Sequence, residues 1–250
     1  QVDKYGDVWC ITYDGKAFRF DKRMEAFTEV AANGAEKDLV ITSILPLDNG
    51  TVWLLTDKNG GIRVVPDRKT GTLASKVYLS TASKEKGTAI KTVFLDKKNR
   101  EWLLTKDGLL CIEGNNGKQT PFFVNTHPES GRPNQSFFSA AFVNGHVYFT
   151  SNKGRVWKYS LKDETFELKD LGLQDDVISI RELSGGKVIM ATRRSGFVVG
   201  DTALESLKYY GLKNEFDFSQ HPIRSIYVDS HNEVWFEVNK IGTVCHFNPS

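Results

Sequence analysis

Short runs of alternating apolar and polar residues, each closed by glycine, asparagine or aspartate, fill the chain from end to end. The segment 41–65, ITSILPLDNGTVWLLTDKNGGIRVV, holds one complete unit. Ile41, Ser43 and Leu45 alternate with Thr42 and Ile44. Asp48-Asn49-Gly50 then supplies turn residues, and Val52-Trp53-Leu54-Leu55-Thr56 is a β-branched and aromatic run. Residues 57–61 break the pattern, and Ile62-Arg63-Val64-Val65 resumes it. The pattern predicts strand, turn, strand, turn, strand, and no stretch carries the period of a helix.

The same layout returns along the chain. It is clear at 90–112 and 223–244, recognisable at 138–157 with Tyr148 at the tryptophan position, and present at 177–198 with Ile189 there. The first copy has Val8-Trp9-Cys10-Ile11 and Gly15-Lys16-Ala17-Phe18, but no Ile-x-Ser-Ile strand before them. Outer fourth strands are predicted within 24–30, 76–79, 121–124, 165–168 and 206–210. The anchors Trp9, Trp53, Trp102, Tyr148, Ile189 and Trp235 are spaced by 44, 49, 46, 41 and 46 residues. A period of this size carrying three or four short strands predicts blades, because one small sheet cannot bury both faces and must stack on its neighbours. The expected fold is an all-β β-propeller of about six repeats of roughly 46 residues, read as a single domain over 1–250 and as a fragment of a longer sensor protein. The large side chain of each second strand is expected to fill the space between blades.

Composition adds bounds. The net charge of +2 does not argue for nucleic acid, and no apolar run has the length of a membrane span. Cys10, Cys111 and Cys245 are too far apart for a metal pattern and read as buried free thiols, with a Cys10–Cys245 pair left open. The five histidines lack paired ligand spacing, so no metal and no cofactor is expected.

The order Ile-x-Ser-Ile-x-x-Asp, turn, Val-Trp, Thr and glycine-rich turn resembles the two-component regulator propeller repeat. It is clearest in IRSIYVDSHNEVW at 223–235, and the repeats cover nearly the whole chain. Departures are an Asp48 turn one residue short, Tyr148, and Leu183 with Ile189 in the fifth copy. The resemblance implies the periplasmic sensor region of a Bacteroidetes hybrid histidine kinase. It further implies an oligosaccharide ligand, a homodimer, and a parent anchored in the inner membrane by segments beyond this piece.

Two other readings start from the same residues. A protein-interaction propeller without a small ligand fits the scaffold equally well. A sialidase-like hydrolase is suggested by Asp48-Asn49-Gly50-Thr51-Val52-Trp53, which resembles an Asp-box; that box is a structural turn, and the arginine clamp, tyrosine nucleophile and acidic partner of such an enzyme cannot be assembled from motifs here. The expected site lies on the turns between second and third strands, where ligands of propellers gather. Its candidates are Tyr13, Lys58, Asn59, Lys106, Asn152, Lys153, Arg155, Arg193, Arg194, Asn239 and Lys240. The first three of these turns pair cations with aspartates and the last three carry cations alone, so an acidic glycan is expected.

Overall fold

A computed structural model describes residues 1–30, 40–56, 60–78, 88–114, 117–122, 135–211, 218, 221–238 and 243–248. All 22 elements among them are β-strands. They form two compact units, residues 1–134 and 135–250.

The first unit holds three sheets, each a meander of consecutive antiparallel strands. The first comprises β1 (Val8–Ile11), β2 (Ala17–Asp21) and β3 (Ala26–Glu29). The second comprises β4 (Ile41–Pro46), β5 (Val52–Thr56), β6 (Gly61–Pro66) and β7 (Leu73–Tyr78). The third comprises β8 (Ile90–Leu95), β9 (Glu101–Thr105), β10 (Gly108–Glu113) and β11 (Lys118–Phe122). Pro121 sits on the outermost strand, β11, where a missing amide costs no ladder hydrogen bond.

The second unit repeats the plan. Its sheets are β12 (Phe137–Val143), β13 (His146–Ser151), β14 (Arg155–Ser160) and β15 (Phe166–Asp170), then β16 (Val177–Leu183), β17 (Lys187–Thr192), β18 (Phe197–Asp201) and β19 (Leu207–Tyr210). The last is β20 (Ile223–Val228), β21 (Val234–Val238) and β22 (Thr243–Phe247). Each of the five inner strands β4, β8, β12, β16 and β20 carries a register irregularity near its start. The first sheet begins at the second strand of the repeat, as its missing Ile-x-Ser-Ile strand predicts.

The cores lie between sheets. Trp9 joins Ile44, Val52, Leu54 and Ile62, while Trp53 joins Ile90, Val93, Leu103 and Ile112. In the second unit, Tyr148 packs with Ile180, Val188 and Met190, and Ile189 with Ile226, Val234 and Phe236. Four of the six anchors are therefore covered by a neighbouring blade, as expected, and Trp102 is also fully buried. Trp235 departs from this, being 38% exposed. The buried face of its sheet is the alternate one, formed by Val234, Phe236 and Val238. Of the thiols, Cys111 is free and buried as expected, whereas Cys245 is half-buried and Cys10 exposed. Trp9 takes the covered face of β1, so Cys10 one residue later points away from it.

One turn explains why aspartate and tryptophan recur together. Asp96 Oδ1 accepts the amides of Lys98 (2.9 Å) and Arg100 (3.0 Å), and Oδ2 accepts the Trp102 indole at 2.9 Å. Asp3 serves Tyr5, Asp7 and Trp9 in the same way, and Asp229 serves His231, Glu233 and Trp235. A left-handed residue at the fourth position closes each turn: Gly6 (φ 82), Asn99 (φ 63) and Asn232 (φ 65). In the second blade the turn is not short. Leu47 and Gly50 make the same backbone bonds, so Leu47 occupies the aspartate position and Asp48 follows it.

The repeated threonine has an equally local role, its hydroxyl closing the next turn onto a glycine carbonyl in Thr56→Gly60, Thr105→Gly108 and Thr192→Gly196. Asp96→Ala is expected to cost about 1–3 kcal/mol, since it strands a buried indole donor and two turn amides. Asp229→Ala should lower the melting temperature less, because Trp235 reaches solvent. Thermal unfolding of the two variants checks the order.

Candidate functional site

The candidates separate by unit. In the first, Tyr13 is fully exposed in a turn that Thr12 ties together: its hydroxyl meets Asp14 Oδ1 at 2.5 Å and receives the Lys16 amide at 3.1 Å. That Thr12 hydrogen bond is the main cause holding the Asp14 carboxyl below its usual range. Lys106 is exposed beside Asp107, whose carboxylate accepts the Thr88 hydroxyl at 2.8 Å. Lys58, Asn59, Asn239 and Lys240 lie outside the described residues.

In the second unit the fold brings Asn152, Lys153, Arg155, Arg193 and Arg194 to one end of two adjacent blades. The tie is the connector 171–176, which sequence spacing did not flag. The Gly154 amide donates to the Asp175 carbonyl at 2.6 Å, and the Leu171 amide to the Gly154 carbonyl at 2.9 Å. A side chain could not replace Gly154, for a Cβ there would stand 2.4 Å from the Leu173 carbonyl oxygen. The Asp175 carboxylate then caps the next turn, accepting the amides of Arg194 (2.5 Å) and Ser195 (2.8 Å). Lys153 is itself left-handed (φ 56), and Asn152 accepts Gln135 Nε2 at 2.7 Å.

Arg193 and Arg194 follow β17 in this turn, so strand alternation does not separate them. Arg193 Nε lies 3.4 Å from Asp176 Oδ2, and its guanidinium sits over the Phe138 ring, 5.8 Å from the centroid. Gln174, Asp175, Asp176, Arg193, Arg194 and Ser195 line a cleft of about 470 Å³. The expectation of turns carrying only cations is thus modified: the connector adds Asp175 and Asp176, so the cleft itself is lined by two cations (Arg193, Arg194) and two carboxylates, with Lys153 and Arg155 on the adjoining turn outside it. Arg155 adds a buried Nε without a hydrogen-bond acceptor.

Chemically the cleft offers hydrogen-bond donors and acceptors side by side. Guanidinium and carboxylate oxygens at this spacing suit vicinal hydroxyls, and Lys153 and Arg155 on the adjoining turn add positive charge that suits an acidic group.

Among the described residues, no helix is long and apolar enough to cross a membrane. No protein-family model and no curated protein matches the chain in sequence. Solved structures match it over nearly its whole length. The extracellular domain of a hybrid two-component system from B. thetaiotaomicron aligns with 99% of this chain at TM-score 0.60 and 14% identity, and this chain spans 37% of that one. Virginiamycin B lyase from Staphylococcus aureus aligns with 95% of this chain and 75% of its own, at TM-score 0.65 and 15% identity. The Cps50 (Swd1) β-propeller domain from Myceliophteria thermophila aligns with 99% and 81%, at TM-score 0.62 and 8% identity. The two-component extracellular domain stands among these likenesses in keeping with the repeat resemblance, and what they establish together is the fold, a β-propeller.

Proposed function

We propose that the chain is the ligand-sensing propeller of a periplasmic sensor of hybrid two-component type, that it binds an oligosaccharide, and that it does no chemistry itself. The observation that carries this reading is the cleft in which Arg193 pairs with Asp176 and covers Phe138, beside Arg194 and Asp175. Its groups are hydrogen-bonding partners for hydroxyls rather than a nucleophile aligned with a base. The positive charge that Lys153 and Arg155 add beside it supports an acidic glycan. In the parent protein, ligand would bias the placement of paired subunits and so the kinase beyond the membrane.

The test is a thermal-shift comparison of neutral and acidic oligosaccharides on the wild-type chain and an Arg193→Ala, Arg194→Ala double variant, since a ligand that binds only the folded state raises its melting temperature. The expected result is a shift with acidic sugars that disappears in the variant. A shift with neutral sugars alone removes the charge preference and keeps the sensor. No shift with any sugar favours a protein-interaction propeller, a reading that has its own observation: the last sheet leaves Tyr227 64%, Trp235 38% and Val244 62% exposed on one face.

A further inference from the structure

β16 is the innermost strand of its sheet, so one of its edges has no strand of that sheet beside it. A residue in an antiparallel strand points its N–H and C=O the same way, and Ile180 turns both to this open edge. Its amide donates to Ser139 Oγ of β12 at 3.4 Å, and its carbonyl accepts Arg181 Nη1 at 2.7 Å. The same Nη1 reaches Ser139 Oγ at 3.3 Å. The Arg181 guanidinium is thereby held across the inner edge, between β12 and β16, with one nitrogen committed.

The other side of the fork is uncommitted. Nε and Nη2 form no hydrogen bond, and no carboxylate lies within ion-pair distance of Arg181 among the described residues. Glu182 follows it directly but stands opposite Val188, whereas Arg181 stands opposite Ile189, so the two begin on opposite faces of the strand. The residue as a whole is exposed, yet protein packed around the guanidinium desolvates it and draws its pKa below the ordinary arginine value. With no carboxylate at ion-pair distance among the described residues, the guanidinium has no counter-charge of its own, and an anion that reaches Nε and Nη2 supplies one. Nε and Nη2 are also the pair of donors that meets a planar carboxylate with two parallel hydrogen bonds.

We propose that the inner edge of β16 is an anion site, where Arg181 Nε and Nη2 hold the carboxylate of a uronic-acid-containing oligosaccharide lying against the inner strands. This rests on the glycan reading above and adds a residue and a chemical class to it. Calorimetric titration of tetragalacturonate and of neutral galactotetraose into the wild type, Arg181→Gln and Arg181→Lys tests it, after matched unfolding temperatures show that the variants are folded. The expected result is a loss of about tenfold or more in tetragalacturonate affinity for Arg181→Gln, a smaller loss for Arg181→Lys, which keeps the charge without the fork, and unchanged galactotetraose binding. Equal tetragalacturonate affinity in wild type and Arg181→Gln overturns the anion site while the glycan reading stands. Binding of galactotetraose alone does the same, and binding of neither sugar overturns both.

Discussion

Glu101→Ala is expected to destabilise the protein by about 3–5 kcal/mol, the loss typical of a buried ion pair stripped of one partner. Glu101 on β9 is 1% exposed and collects donors from the neighbouring blade. Its Oε2 accepts the Trp53 indole at 2.8 Å and Arg63 Nε at 2.9 Å, and its Oε1 accepts Arg63 Nη2 at 2.8 Å and Asn49 Nδ2 at 3.0 Å. Alanine leaves an indole and an amide without an acceptor, and a guanidinium only 11% exposed with no counter-charge and a single 3.4 Å bond to Thr51 Oγ1. Glu101→Gln keeps the shape but offers one acceptor oxygen where there were two, so a smaller loss is expected.

The pH dependence follows from the same contacts. Burial alone would raise the Glu101 pKa, but the hydrogen bonds and charge of Arg63, with the bonds from Trp53 and Asn49, outweigh it and hold the carboxyl below its usual range. The unfolded chain therefore takes up this proton at higher pH than the folded one. The stabilisation is complete above the ordinary carboxylate range and is lost as pH falls through the folded value. In thermal unfolding, the gap between wild type and Glu101→Gln should be constant near neutrality and close on acidification. A gap that widens instead, or an alanine variant as stable as the wild type, contradicts the assignment.

The role of Glu101 shows where sequence reading stops. Strand alternation and the recurring anchors made the blades legible, because period and turn chemistry are local. Glu101 itself was visible as an exception, since the same position holds Val8, Val52, Val147, Val188 and Val234 in the other repeats. Its meaning was not, because it answers a deficit in the preceding blade. Leu47 stands where Asp3, Asp96 and Asp229 hold their own tryptophans, so Trp53 takes its acceptor from the next sheet.

Asp3, six residues before Trp9, could have been found from the aspartate–tryptophan spacing even though its strand is missing. The cleft was harder to anticipate. The turn at Arg193 and Arg194 was identified from its place in the repeat, but Asp175 and Asp176 lie in a connector with no repeating pattern, and only the folded hydrogen bonds bring them under the arginines. Arg181 was hidden for a related reason, since strand alternation says which face a side chain leaves from and not that its end crosses the sheet edge.

Arg19→Leu is expected to cost about 3 kcal/mol, because it leaves two carboxylates buried beside each other. Arg19 and Asp7 have fully buried side chains and Asp21 is 4% exposed. Arg19 Nε and Nη2 hold Asp7 Oδ2 at 3.0 and 2.7 Å, and Nη2 also holds Asp21 Oδ2 at 2.7 Å. Nη1 reaches the Gly71 carbonyl at 3.3 Å, which ties the first blade to the second. Arg68 also bonds Asp7 and is 28% exposed, so the cluster lies just under the surface and the expected cost sits at the low end for a broken buried pair. Burial alone would raise the Asp7 pKa, but its bonds to Arg19, to the Lys22 amide and to Arg68 hold it below its usual range. Arg19 is the main group lowering the Asp7 pKa, so the stabilisation it gives is lost as the pH falls through the folded value, and the Arg19→Leu deficit should shrink on acidification.

Lys16–Glu29 provides the control, a 4.0 Å pair whose side chains are 57% and 56% exposed. Lys16→Ala should change stability by no more than about 0.5 kcal/mol, and salt should erase that difference while leaving most of the Arg19 effect. Denaturant unfolding of both variants at two ionic strengths separates the cases. An Arg19→Leu protein no less stable than Lys16→Ala would mean that apolar contacts alone hold the first two blades together.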